Sequence, residues 1–247
     1  NWTVKCFDKI NNIEIIYKCK RVISSASLKE VVQNITPPLS SKLLVDNLKY
    51  RDFITVAVMI DKQPSFDDNW IYIHDQDINA GRIQNYTSWS SFMAPKNKGC
   101  LGLEYFCNEG ENFWNKNNDD LKKIALEDLK KLELLNKENV IDTYVVRQKK
   151  AYPVYDKNYK EIIKKISNEI ESKYENLFLV GRNGMHKYNN QDHAMMSAIL
   201  TVENIKLNKK KNNIWNINID AEYHEEKIND NNIAMKSERE VPRSIND

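Results

Sequence analysis

The chain has 247 residues, 41% of them hydrophobic and 29% charged, which suits one large domain or two small ones and excludes wholesale disorder. Thirty-seven Lys and Arg against 35 Asp and Glu leave a net charge of +2, which argues against a nucleic-acid binder that works by neutralising phosphates. No apolar run reaches the roughly 18 residues of a membrane span, and the six glycines form neither G-x-G-x-x-G nor G-x-x-x-x-G-K, so a self-contained nucleotide domain of either kind is excluded.

Residues 4–7 and 13–17, joined by a polar turn, read as a β-hairpin. Residues 21–26 form a short buried strand ending in small residues, which lets a ligand or another backbone approach closely. Residues 27–48 hold a short helix, a break at Pro37-Pro38 and a second amphipathic piece. From 53 to 107 longer strands follow, over 53–60, 70–74, 83–86 and 100–106, and their polar turns predict an antiparallel sheet. A helix over 118–135 is capped by Asn118 or Asp119, with Leu121, Ile124, Ala125, Leu129 and Leu132 as its stripe. Residues 140–148 form another strand. Tyr159, Ile162, Ile163, Ile166 and Ile170 mark a second amphipathic helix. Residues 176–181 read as a buried strand of the parallel-sheet kind, 182–189 as an irregular polar loop, and 190–205 as a helix with the stripe Met195, Ala198, Ile199 and Val202. Beyond about residue 225 the composition is polar and unpatterned, as in a disordered tail.

Cys6, Cys19, Cys100 and Cys107 form no C-x-x-C pair, so zinc and thioredoxin-like readings are poor. Cys6 and Cys19 could face each other across the hairpin, but reduced, buried thiols in a cytoplasmic protein are the expectation. No His, Cys or carboxylate spacing suits a metal, and Glu104 and Glu109 have no partner that would make an acid/base pair.

The segment 177–193 is the most informative. A buried strand enters Gly181-Arg182-Asn183-Gly184 and leads to a helix N-terminus at Asn190-Gln191-Asp192. Ligands of open α/β sheets bind outside the carboxyl ends of strands, and a helix N-terminus favours an anion or an electron-rich ring edge. Arg182 adds a fixed positive charge. The alternative is a plain strand–loop–helix in which Arg182 pairs with a local carboxylate and Asn190 only caps. Taken alone, Tyr72 and Tyr152 read as half-buried sheet or turn aromatics and Arg82 as a strand-edge charge.

The same segment resembles the last strand, loop and helix of the flavin domain in UDP-galactopyranose mutases, with Asn190-Gln191-Asp192-His193 matching in full. More distantly it is similar to amine oxidase and protoporphyrinogen oxidase flavoproteins. Asn69-Trp70-Ile71-Tyr72-Ile73 with Gly81-Arg82-Ile83 resembles the mutases' Trp-x-Tyr strand and following Arg strand, and Ala151-Tyr152-Pro153 their Gly-Tyr-Pro motif. His186 departs from the pattern, standing where the mutases usually carry an aromatic ring.

The resemblance implies that Tyr72, Arg82, Tyr152 and Tyr188 surround a substrate diphosphate. It implies that Gly181 and Arg182 contact the flavin nucleotide and that the backbone at Asn190 and Gln191 lies at the pyrimidine edge of the isoalloxazine. The cofactor is then FAD, reduced for mutase activity, with its N5 as the nucleophile toward the anomeric carbon. The implied fold is mixed α/β: the C-terminal part of a Rossmann-like FAD-binding domain (1–49 and 151–206), an antiparallel-sheet substrate domain (50–150), and a C-terminal extension (207–247). The chain opens Asn1-Trp2-Thr3 as though mid-protein, and the family's phosphate-binding Gly-rich turn precedes everything present here. The expected partners are a nucleotide sugar or other small molecule and an N-terminal half of the same protein, with no nucleic acid and no membrane span. Three functions follow: a flavin-dependent sugar-nucleotide mutase, a redox flavoenzyme of the same fold, or a non-catalytic fragment or interaction module.

Overall fold

The computed structural model describes residues 1–135 and 139–218. They divide into two compact units, one of Asn1–Lys49 with the chain from Pro153 onward, the other of Tyr50–Tyr152. The expected tail beyond residue 225 lies outside the described residues.

The first unit opens on the expected hairpin, β1 (Trp2–Asp8) and β2 (Ile13–Cys19), paired antiparallel. Its turn is held by Asp8 Oδ1, which accepts the N–H groups of Ile10 at 2.8 Å and Asn11 at 3.2 Å. Cys6 stands opposite Ile15 and Cys19 opposite Trp2, so these two do not face each other. All four cysteines are free, but only Cys107 is buried as expected; Cys6 is exposed on the two-stranded hairpin, and Cys19 and Cys100 are partly covered.

Strand β3 (Val22–Ser24) pairs in parallel with β9 (Leu177–Leu179), in the register Val22↔Leu177 to Ser24↔Leu179. β3 is less buried than the sequence suggests, since Ile23 is half exposed. Helix α1 (Leu28–Asn34) and a 3₁₀ turn over Lys42–Asn47 pack Leu28, Val32 and Val45 against Ile162, Ile163, Ile166 and Ile170 of α4 (Tyr159–Lys173). The turn is tied to α4 by Glu169, whose two oxygens accept the N–H groups of Ser40 at 2.6 Å and Ser41 at 2.8 Å.

The stretch after β9 is not an irregular loop. It forms a short helix, α5 (Gly181–Met185), with Gly184 and Met185 buried. Gly184 makes this possible: a Cβ there would sit 2.6 Å from the Ser24 carbonyl oxygen. Helix α6 (Gln191–Leu207) follows, but its apolar stripe does not face the core. Met195, Ile199 and Val202 are 57%, 45% and 42% exposed, while Ser197 and Thr201 are buried. The Ser197 hydroxyl accepts the Gly181 N–H at 2.9 Å, so a small polar residue fixes α6 to the end of β9.

The second unit is built on a five-stranded sheet in the order β5-β6-β7-β4-β8. Its strands are β4 (Lys49–Ile60), β5 (Trp70–Tyr72), β6 (Arg82–Asn85), β7 (Gly99–Cys107) and β8 (Val140–Val154). The β5–β6, β6–β7 and β7–β4 pairs are antiparallel. β5 is shorter than expected, and β8 runs six residues further, through Tyr152. Helix α3 (Asn118–Lys131) is capped by Asn117, one residue before Asn118 and two before Asp119, with Asn117 Oδ1 accepting the Asp120 N–H at 2.8 Å. Its Leu121, Ala125 and Leu129 bury against Ile54, Val56, Val58, Ile83, Leu101 and Leu103. Strand side chains alternate between faces. The core takes one set, and the other set, including Arg82, Gln84 and Glu104, forms the opposite face.

Candidate functional site

In the second unit, β-ladder register brings three side chains together. Tyr72 on β5 lies opposite Arg82 on β6, and Arg82 opposite Glu104 on β7. Arg82 donates from Nε to Glu104 Oε2 at 2.8 Å, and its Nη2 lies 2.6 Å from the same oxygen. Nη2 also donates to the Tyr152 hydroxyl at 3.1 Å, and Nη1 to the Tyr72 hydroxyl at 3.4 Å. The continuation of β8 through residue 152 is what delivers Tyr152 to this group. Its ring sits 5.9 Å from Phe53 and 6.3 Å from Phe106. The rings of Tyr72 and Phe106 lie 5.7 and 6.0 Å from the guanidinium carbon. Burial opposes the charge on Arg82, but the Glu104 carboxylate outweighs it and holds the guanidinium above its usual range.

Glu104 was missed as a site residue. It is 5% exposed and accepts from Gln84 Nε2 at 3.1 Å through its second oxygen. Gln84 in turn accepts from Trp89 Nε1 at 2.9 Å; Trp89 belongs to α2 (Tyr86–Trp89). A carboxylate within Leu101-Gly102-Leu103-Glu104-Tyr105-Phe106 is the only sequence signal of this, because its partners lie on other strands. The arrangement can donate to an oxyanion or neutral acceptor from the half-exposed edge at Tyr72. It is already charge-paired inside.

Tyr188, Arg182, Gly181, Asn190 and Gln191 belong to the first unit. Arg182 Nε donates to the Asn189 carbonyl at 2.8 Å, and its guanidinium lies 4.9 Å from the centre of the Tyr188 ring. The Tyr188 N–H donates to the Tyr155 hydroxyl at 2.6 Å. Tyr155 stacks on Tyr159 with centroids 4.1 Å apart, and the Tyr159 hydroxyl donates to the His186 carbonyl at 2.8 Å. His186, itself fully buried, thus supports the loop that carries Tyr188. Burial lowers its imidazole pKa to about 4, against a smaller opposing effect of Asp156.

Asn190 caps α6. Its N–H donates to His193 Nδ1 at 3.3 Å in a reciprocal capping box, so His193 has a structural task at the helix start. Gly181 has φ of +76°, and a Cβ there would meet nothing within 4 Å. Asn183 Oδ1 is buried with no hydrogen-bond partner among the described residues. Among those residues no group of three or more His, Cys, Asp or Glu could hold a metal, and no helix is long and apolar enough to cross a membrane.

This fold, a parallel strand pair followed by a helix N-terminus with an antiparallel sheet inserted in the chain between the paired strands, is similar to that of part of several solved structures. A reduced UDP-galactopyranose mutase superposes with a TM-score of 0.70 at 16% identity, over 80% of this chain and 43% of its own. A protein of Exiguobacterium sp. 255-15, provisionally named a protoporphyrinogen oxidase, gives 0.55 at 14% identity over 77% and 42%. A fatty acid isomerase of P. acnes that produces CLA gives 0.54 at 11% identity over 81% and 44%. The chain thus spans less than half the length of these proteins. No family model and no curated protein sequence matches it.

Proposed function

We propose that this chain is part of a flavin-dependent sugar-nucleotide mutase of the UDP-galactopyranose/UDP-galactofuranose type. The observation that carries the reading is the convergence of the Tyr72, Tyr152 and Arg82 donors on one sheet face. A guanidinium and two phenols suit a diphosphate: the guanidinium supplies charge-assisted bonds in fork geometry, and the phenols add donors without further charge.

The residues at the end of β9 fit a flavin. Open space at Gly181 admits a ring or phosphate, and the buried Asn183 oxygen suits a donor such as a flavin imide or ribityl hydroxyl. The first-turn N–H groups of α6, at Gln191 and Asp192, are the ones helix geometry leaves without intrahelical partners, and they favour negative charge. Arg182, Asn190 and Gln191 would hold the isoalloxazine and nucleotide. The cofactor, when bound and reduced, supplies the nucleophile. This chain's residues position the sugar nucleotide, donate hydrogen bonds to the departing diphosphate and exclude water with their rings. The pyrophosphate cradle is proposed to come from an upstream half of the same protein.

One observation favours a second reading. The buried Glu104 already neutralises Arg82, as would suit a less charged substrate of a redox flavoenzyme. The experiment that decides is incubation of the full-length protein that contains this chain, flavin-loaded and reduced, with UDP-galactopyranose, followed by chromatography. Formation of UDP-galactofuranose supports the mutase. Unchanged substrate together with no binding of UDP returns the redox reading.

A further inference from the structure

The first unit holds a cavity of about 640 Å³, and none of the residues proposed above for flavin or diphosphate lines it. Its volume falls within the roughly 300–1,000 Å³ of small-molecule sites. It is long rather than round. One wall is a single face of α4, where Tyr159, Ile163, Ser167, Ile170 and Tyr174 recur turn by turn. The helix has 15 residues, so this wall runs about 22 Å. Leu177 and Leu179 of β9 continue it, and with Ile163 and Ile170 they are buried apolar side chains.

Residues 210–216 bound the cavity as a strap fastened at three points. Asn204 on α6 pairs with Asn212 both ways, its Oδ1 accepting the N–H at 2.9 Å and its Nδ2 donating to the carbonyl at 2.8 Å. Glu171 on α4 accepts from Lys210 Nζ at 3.0 Å and from Trp215 Nε1 at 3.2 Å. Lys187 Nζ donates to the Trp215 carbonyl at 3.0 Å. A segment so tied does not collapse onto the apolar wall, and the space between them stays open.

The charge lining this space is one-sided and uneven along its length. Five lysines line it against two carboxylates, Glu171 and Glu175. Lys160 and Lys164 stand one turn apart at the start of α4, and Lys187 follows His186, whose carbonyl accepts from Tyr159 at 2.8 Å. Three lysines therefore gather at the N-terminal end of α4, whose dipole adds potential of the same sign. Both carboxylates lie toward the other end, where Glu171 is paired with Lys210.

We infer that this cavity binds an unbranched alkyl carboxylate, its head at Lys160, Lys164 and Lys187 and its chain along α4 beside Trp215. The length of the wall selects an extended chain over a compact ring. Its apolar side chains select hydrocarbon, which leaves water on entering. Positive charge gathered at one end selects a single anionic head.

The test is calorimetric titration of the full-length protein that contains this chain with dodecanoate, butyrate and 1-dodecanol, each below its micelle or solubility limit. The same titrations are made on Trp215→Ala and on the double variant Lys160→Gln/Lys164→Gln, with folding checked by circular dichroism. The wild type is expected to bind dodecanoate, and to bind butyrate about a hundredfold more weakly or not at all, because the short chain covers little of the wall. The double lysine variant, altered only on the helix surface, should bind dodecanoate about tenfold more weakly and dodecanol as the wild type does. Trp215→Ala should weaken dodecanoate and dodecanol alike, by about tenfold. A wild type that does not bind dodecanoate, or that binds butyrate as tightly, overturns the site. So does either variant whose dodecanoate affinity equals that of the wild type, and so does a lysine variant that loses dodecanol as much as dodecanoate.

Discussion

Arg82 Nη2 lies 2.6 Å from Glu104 Oε2, with both side chains largely withdrawn from water. A buried pair costs desolvation, so its presence is weak evidence of stabilisation, but removing one partner strands the other charge. Glu104→Gln keeps the shape and removes the compensating charge. We expect a loss of about 3 kcal/mol in urea unfolding. If Arg82 is an anion site, pyrophosphate should bind more tightly to this variant than to the wild type. A variant that is destabilised and also binds pyrophosphate less well would show that Glu104 shapes the site rather than tempering its charge.

Asp128 on α3 is the corresponding hub on the core side. It is 1% exposed and accepts from the Asn79 N–H at 3.3 Å, the Ala80 N–H at 3.1 Å and the Tyr105 hydroxyl at 3.1 Å. Burial first, and then Asp128, pushes the Tyr105 hydroxyl pKa up, which keeps the phenol a donor. This carboxylate fixes the loop that leads into Arg82. Asp128→Ala should cost about 3 kcal/mol or more, since several buried donors lose their acceptor at once. Asp128→Asn should cost less. Urea midpoints for the two variants check the order.

Gly184→Ala is expected to destabilise the protein by about 3 kcal/mol, the upper end for overpacking. The added methyl would lie 2.6 Å from a backbone carbonyl, that of Ser24, which cannot swing away as a flexible side chain could. Thermal unfolding that matches the wild type would mean that α5 shifts freely on β3.

The legible parts of the fold were those with a strong local period. The β1–β2 hairpin, α3, α4 and the antiparallel strands follow from alternation or a 3.6-residue stripe. The buried run at 177–179 was readable as a parallel strand from its composition. Its partner Val22–Ser24 was not, because about 150 intervening residues carry no trace of the pairing. The α6 stripe misled for a related reason: periodicity identifies an apolar face but not what covers it, and the core contact there uses Ser197 and Thr201. In the site, Tyr72, Arg82 and Tyr152 came from motif resemblance. Glu104 escaped because only cross-strand register sets it against Arg82.

His186 gives a pH dependence whose sign can be worked out. Its imidazole ionises near 6.5 when unfolded and at about 4 when folded, because burial disfavours the cation. At pH 7 both states are neutral and the group has no effect. Between pH 6.5 and 4 the unfolded chain takes up the proton first, so stability falls as pH falls. The loss across the full window is on the order of 3 kcal/mol. His186 has φ of +47°, a conformation that Asn tolerates better than most residues, so His186→Asn removes the titrating ring without forcing the backbone. Urea unfolding of both proteins between pH 5 and 7, where most carboxylates stay ionised in either state, isolates the effect. The wild type should weaken more steeply toward pH 5 than the variant, and equal slopes would show that His186 takes up its proton alike in the folded and the unfolded chain.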